Sequence, residues 1–319
     1  MSAFQRRIGA SHVMSIRELV VLGTGSQVPT RHRNHNAYLL LWDSHGLLFD
    51  PGEGTQRQMI YSRVATSQIT RILISHFHGD HCLGLAGLVQ RISLDEVKHE
   101  VEISYPASGQ VYVDRMRGAS IFHDKSKLKL SPIAKEGVMS DGPDFELSCL
   151  HLEHGVETFG YRLQEPDART FISEELAKAG VVGRDIAKLR REGSIETPNG
   201  TVRVEDVSTV RKGQSFAFVM DTRYCEAAVE LARGVDLLVC ESTYLQTEAK
   251  EARERGHMTA REAAQVAKEA GVDKLVLTHF SQRHPNTEDF LDEAKEVFEN
   301  VVAARDGDRI AVPLRQRDL

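Results

Sequence analysis

The sequence predicts an α/β fold carrying one protruding insertion, and three features lead to that expectation. The first is an N-terminal meander of apolar segments, Glu18 to Gly23, Asn36 to Trp42 and Gly46 to Asp50, the last two parted by the turn Asp43-Ser44-His45-Gly46. The second is a β-α-β-α series in the C-terminal half. There the strands Ser215 to Met220, Asp236 to Cys240 and Lys274 to Thr278 alternate with helices Arg223 to Arg233 and Thr259 to Ala270, the latter with Thr259 as N-cap and Glu262 at the box position. The third is a loss of regularity between Tyr161 and Arg211, where Pro166, Gly180, Gly183, Gly193 and Pro198-Asn199-Gly200 mark an inserted segment.

A chain of 319 residues with an apolar fraction of 41% can bury a large core. No run approaches the roughly 18–20 apolar residues of a membrane span, and Met1 to Val13 is polar, with Arg6 and Arg7 and no apolar leader. A cytoplasmic protein without a membrane partner is therefore expected. Residues 1–13 read as a disordered extension or start-site artefact ahead of Met14, and 14–319 as one domain. The cysteines Cys82, Cys149, Cys225 and Cys240 have no paired spacing and read as small buried hydrophobes. A net charge of −6 gives no global attraction to nucleic acid, so any RNA contact must come from local basic patches.

The densest chemistry lies in Ser75-His76-Phe77-His78-Gly79-Asp80-His81, after the apolar run Arg71 to Ile74 and before a Gly-rich segment, Leu83 to Leu88. Alternation along a strand end throws His76 and His78 to one side, and a turn at Gly79 returns Asp80 and His81 beside them. Imidazole and carboxylate in this mix suit Zn²⁺, and two ions need more ligands than one motif supplies. Other strand ends offer them. His154 falls at the end of the strand Phe145 to His154, whereas His151, mid-strand, reads as a satisfied structural histidine. Later strands end in Asp221-Thr222-Arg223, Glu241-Ser242-Thr243 and His279. Asp50, before Pro51-Gly52, reads as a support for a ligating imidazole. Val101 to Tyr105 reads as a strand and Ser108 to Ala119 as an amphipathic helix, neither with candidate ligands. The loop Gly23 to Asn34, with Arg31 and Arg33, has chemistry suited to a phosphate. In the insertion, Arg184, Lys188, Arg190 and Arg191 would form a basic helical surface.

The set His76, His78, Asp80, His81, His154, Asp221 and His279 resembles the dinuclear zinc site of the metallo-β-lactamase superfamily, and the match covers nearly the whole chain. The resemblance implies a four-layer αβ/βα sandwich and two Zn²⁺ per chain. It puts His76, His78 and His154 on one ion and Asp80, His81 and His279 on the other, with Asp221 bridging. Gly23-Thr24-Gly25 with Arg33-Asn34, Phe49 to Gln56, His154 to Tyr161 and Asp221-Thr222-Arg223 further resemble the ribonuclease Z family, which trims the 3′ trailer from precursor tRNA. That likeness implies a catalytic histidine at His257 positioned by Glu241. It also implies a tRNA-gripping arm at 165–210, and a homodimer in which one subunit's arm holds the tRNA cut by the other. Two positions depart from the family pattern: Gly183-Arg184 replaces the usual Gly-Pro, and Met220 replaces a Gly before the bridging Asp.

The expected reaction is phosphodiester hydrolysis leaving a 3′-hydroxyl on the tRNA and a 5′-phosphate on the trailer. Asp80 would orient the attacking water and His257 would protonate the departing ribose oxygen. Arg33 and the arm residues Arg184, Lys188, Arg190 and Arg191 would bind substrate. Competing readings are a phosphodiesterase or sulfatase of the same fold acting on small esters, and an inert RNA-binding module.

Overall fold

Two seven-stranded sheets face each other, each with helices on its outer side. The computed structural model describes residues 17–314, so the stretch 1–13 read as an extension lies outside the described residues. In order across the first sheet run Arg309–Ala311, Arg17–Gly23, Ala37–Trp42, His45–Phe49, Arg71–Leu73, Val101–Pro106 and Leu128–Ile133. The first four are mutually antiparallel and the rest join in parallel. The second sheet runs Val301–Ala303, Lys274–Thr278, Leu237–Glu241, Ser215–Val219, Thr158–Gln164, Glu146–Leu152 and Gly137–Asp141, its first four strands parallel and its last three antiparallel.

Both faces of the central strands are covered, which is why they read as continuous apolar runs. Side-chain alternation then divides each strand between two cores. Tyr38, Leu40 and Trp42 enter the layer between the sheets, while Ala37, Leu39 and Leu41 meet the outer helices. Phe216 and Phe218 face inward in the same way, with Ala217 and Val219 turned to the helices of the second sheet. Phe49 lies at the centre, stacked on Phe218 at 4.7 Å with Phe216 at 5.5 Å and Tyr161 at 6.0 Å between ring centroids.

The Gly-rich segment after the histidine motif opens a helix, Leu85–Leu94, because Leu85, Leu88, Val89 and Ile92 bury one face and outweigh the cost of Gly87. The helix expected from Arg223 begins only at Glu226. Residues 222 and 223 are diverted, since Thr222 N donates to Glu241 Oε1 at 2.8 Å and Arg223 N to the Glu153 carbonyl at 2.9 Å. Ala260–Ala270 carries the Thr259/Glu262 capping box. His151, read as a satisfied structural histidine, is exposed; its ring lies against Phe159 at 4.2 Å between centroids.

The insertion folds on itself. Ala168–Phe171 pairs with Ser208–Arg211 and Ser194–Thr197 with Gly200–Arg203, and none of these strands joins either large sheet. With helices Ser173–Lys178 and Arg184–Glu192 they enclose a small core of Leu176, Val181, Leu189, Ile195, Val202, Val204 and Val207. Glu165 belongs to the root: buried, it pairs with Arg17 Nη1 at 2.7 Å and accepts from Gln214 N at 2.9 Å.

Candidate active site

The strand ends that carry polar residues meet along one edge of the sandwich. His76 and His78 follow Arg71–Leu73, His154 follows Glu146–Leu152, Asp221 follows Ser215–Val219 and His279 follows Lys274–Thr278. The four-residue helix Gly79–Cys82 folds Asp80 and His81 back toward them. Two groups result, His76, His78, His154 and Asp221, and Asp80, His81 and His279, with the donor atoms of each lying within 4.8 Å of one another. Asp221 stands between the groups. Its Oδ2 lies 3.5 Å from His76 Nε2, 3.7 Å from His154 Nε2 and 3.3 Å from His81 Nε2, and its Oδ1 lies 3.1 Å from His279 Nε2. Asp80 Oδ2 is 3.3 Å from His81 Nε2 and 3.5 Å from His279 Nε2.

This donor set fits metal. Asp221 Oδ1 and His279 Nε2 are buried without a hydrogen-bond partner among the described residues, an arrangement that is costly unless a cation meets them. His76 Nε2 and His78 Nδ1 converge to 2.9 Å, and burial lowers the pKa of both rings, keeping their lone pairs available. The Asp80 and Asp221 carboxyls are held well below the usual range. Burial opposes that shift, but His81 and His279 beside Asp80, and His279 and His81 beside Asp221, outweigh it.

Each Nε2 donor is oriented from behind by a bond at Nδ1. His81 Nδ1 donates to Asp50 Oδ2 at 2.9 Å, His76 Nδ1 to Ser75 Oγ at 3.0 Å, His154 Nδ1 to the Gly256 carbonyl at 2.8 Å and His279 Nδ1 to Thr243 Oγ1 at 2.7 Å. Ser75 Oγ in turn donates to Asp50. Thr243 Oγ1 donates to Glu241 Oε2 at 2.6 Å. Asp50, Asp221 and His279 all adopt positive φ, 45°, 43° and 63°, a left-handed conformation unfavourable for these residues and tolerated where surrounding contacts over-determine it. Two glycines permit close approach here. A Cβ on Gly52 would lie 2.2 Å from the Asp80 carbonyl, and one on Gly256, at φ 79°, 2.9 Å from His154 Nδ1.

Beside the two groups, His257 Nδ1 bonds to Glu241 Oε1 at 2.9 Å. Glu241 is fully buried and also accepts from Thr222 N and from the backbone and hydroxyl of Thr243, so one carboxylate orients His257 directly and His279 through Thr243. The His257 pKa is pushed up to about 9: burial opposes, but Glu241 and then Asp221 prevail. His257 also lies within 4.8 Å of donor atoms on Asp221 and His279, so geometry admits it either as a proton donor or as a ligand.

The remaining substrate-binding candidates are scattered. Arg33 is buried, its Nη2 donating to the His284 carbonyl and its guanidinium lying 5.9 Å from the Phe280 ring centroid, so it shapes the loop from within; Arg31 is the exposed arginine there. Arg184, Lys188, Arg190 and Arg191 are exposed on Arg184–Glu192, the helix that buries Leu189. Sequence reasoning did not single out Ser75, Thr243 or Gln27, whose backbone N–H donates to Asp80 Oδ2 at 2.8 Å. The only signal for Ser75 and Thr243 is their nearness to His76 and Glu241 in the chain.

The chain is similar to known proteins. Residues 30–162 match the metallo-beta-lactamase superfamily and residues 182–280 a beta-lactamase superfamily domain. A ribonuclease Z of Streptomyces avermitilis is 54% identical over 95% of this chain and 100% of its own length, and one of Chlamydia muridarum 50% identical over 92% and 96%. The crystal structure of human tRNase Z, short form, superposes with a TM-score of 0.69 at 25% identity, covering 93% of this chain and 99% of that one. With two superfamily matches spanning both halves of the sandwich and full-length relatives at about half identity, the chain belongs to the ribonuclease Z family of the metallo-β-lactamase superfamily.

Proposed function

We propose that this chain is a metal-dependent endoribonuclease that removes the 3′ trailer from precursor tRNA. The observation that carries the reading is the pairing of His257 with buried Glu241 beside two donor groups that share Asp221. The proposed cofactor is two Zn²⁺, one in each group; bound there, they would acidify a water and offset charge growing on the phosphoryl oxygens. Asp80, fixed by Gln27 N, orients the attacking water for in-line displacement, and the water's proton passes to solvent. His257, with Nδ1 held by Glu241, presents Nε2 to the departing ribose 3′ oxygen and protonates it as the P–O bond breaks. The tRNA then carries a 3′-hydroxyl and the trailer a 5′-phosphate.

The insertion supplies the grip on the tRNA body through Arg184, Lys188, Arg190 and Arg191. A homodimer brings one subunit's arm to the other's cleft, and the apolar side chains of Ile60, Tyr61 and Leu94, exposed on two packed helices, offer surface for the second copy. No helix among the described residues is long and apolar enough to cross a membrane, and the proposed location is the cytoplasm. Incubation of the purified protein with precursor tRNA, with and without chelator, followed by mapping of both new ends, tests the reading. Intact precursor, or a 3′-phosphate on the tRNA, would refute it. Light scattering across a concentration series tests the dimer, which a constant monomer mass would exclude.

A further inference from the structure

A cleft of about 490 Å³ opens over the candidate ligands, and among the described residues its walls hold a single lysine or arginine, Arg255. Arg255 ends the helix Ala249–Arg255, after which Gly256 turns the chain directly into His257. Its Nε donates to Glu251 Oε1 at 2.9 Å. Glu251 is in turn clamped by both terminal nitrogens of Arg283, at 2.7 and 2.8 Å. Arg283 has thus spent its fork on Glu251, whereas the two terminal nitrogens of Arg255 meet no acceptor among the described residues. The Arg255 side chain is 54% exposed, so these nitrogens are open to solvent and ligand.

A planar guanidinium with two unused N–H pairs matches two oxygens of a phosphate, and anchoring through Nε limits the freedom that binding would otherwise remove. On a chain of net charge −6, attraction of a phosphate into the cleft has to come from local cations such as this one. We propose that Arg255 is a substrate-binding residue that holds, through its terminal nitrogens, a phosphate of the RNA strand lying in the cleft, with Glu251 and Arg283 fixing its position. This deepens the phosphodiester-hydrolase reading and rests on it.

The test uses Arg255→Ala and Arg255→Lys in the metal-loaded full chain, with precursor tRNA and bis(p-nitrophenyl) phosphate as substrates. Binding of precursor tRNA is measured against salt in a His257→Ala background, so that turnover does not consume it. Arg255→Ala should lower kcat/KM on precursor tRNA about 10- to 100-fold, the range of one lost charged hydrogen-bonding group. The slope of log K against log salt should become shallower by about 0.7–0.9, one phosphate contact, with metal content unchanged. Arg255→Lys should restore the slope and only part of the rate, because the ammonium keeps the charge and loses the fork. A matching loss on the small diester assigns the contact to the scissile phosphate; a loss confined to the tRNA assigns it to a neighbouring one. An unchanged salt slope overturns the proposal whatever the rate does, as does a variant that sheds its metal. If the wild-type chain leaves precursor tRNA uncut, the substrate reading fails. The small diester then decides this proposal, with equal hydrolysis by wild type and Arg255→Ala overturning it and slower hydrolysis by the variant supporting it.

Discussion

Substitution of His257 by alanine separates its two candidate tasks, proton donor and metal ligand. The change removes a charge-assisted bond of 2.9 Å to Glu241, worth about 1.5–3 kcal/mol. Glu241 still accepts from Thr222 N at 2.8 Å, Thr243 Oγ1 at 2.6 Å and Thr243 N at 3.3 Å, so its buried charge is not abandoned. The protein should therefore fold, less stable by about that amount. If His257 protonates the leaving oxygen, single-turnover cleavage of precursor tRNA should slow by about 10²–10⁴-fold, roughly 3–5 kcal/mol of barrier. Metal analysis of the same preparation should match wild type, because the seven residues of the two donor groups remain. A diester whose leaving group is a stable nitrophenolate needs no proton and should be hydrolysed at near the wild-type rate. Two results would refute the assignment. Loss of metal would make His257 a ligand, and an equal loss on both substrates would show that its proton is not what the reaction uses.

Asp221→Ala should strip metal from both groups together, because one carboxylate serves each and removes repulsion between the cations; mass spectrometry showing full occupancy would exclude the bridging role. Replacement of residues 168–211 by a short Gly-Ser turn, leaving Glu165 on Arg17, should preserve fold and metal, since loop closure changes by only about 0.6 kcal/mol per doubling of length. Precursor tRNA binding should weaken strongly and its salt dependence flatten, while hydrolysis of a small diester hardly changes; a truncated enzyme that processes the tRNA as well as the full chain would refute the arm's role. In the metal-stripped protein, the His257 pKa of about 9 exceeds its ordinary 6.5, so its stabilisation is complete below pH 6.5 and is lost as pH rises through about 9. Denaturant titrations across that range should show the decline in wild type and a flatter profile in His257→Ala. Phe49→Ala should cost about 3–5 kcal/mol in the same assay, because the ring is fully buried against Phe216, Phe218 and Tyr161.

Elements whose signals are local were legible in the residues alone. Apolar runs at the right spacing marked most central strands, Thr259 and Glu262 marked a helix start through a cap that closes within four residues, and His-x-His-x-Asp-His declared metal chemistry because its donors converge within one turn of chain. His154, Asp221 and His279 were legible as polar residues at strand ends, although Asp221 and His279 join the motif only when the parallel strands stack in register and His154 only through the antiparallel pairing of Glu146–Leu152 with Thr158–Gln164. Which atoms face which is settled by packing between distant segments. Sequence cannot tell that Arg33 is swallowed beneath the His284 carbonyl while Arg255 keeps a free fork at the cleft, since both are arginines in polar loops or helix ends. Nor can it reveal that Thr243 links Glu241 to His279, or that Glu165 roots the insertion on Arg17, because these contacts join residues 36 and 148 positions apart in a chain whose spacing carries no record of them. Burial and orientation are set by long-range packing, and that is where periodicity and capping cease to inform.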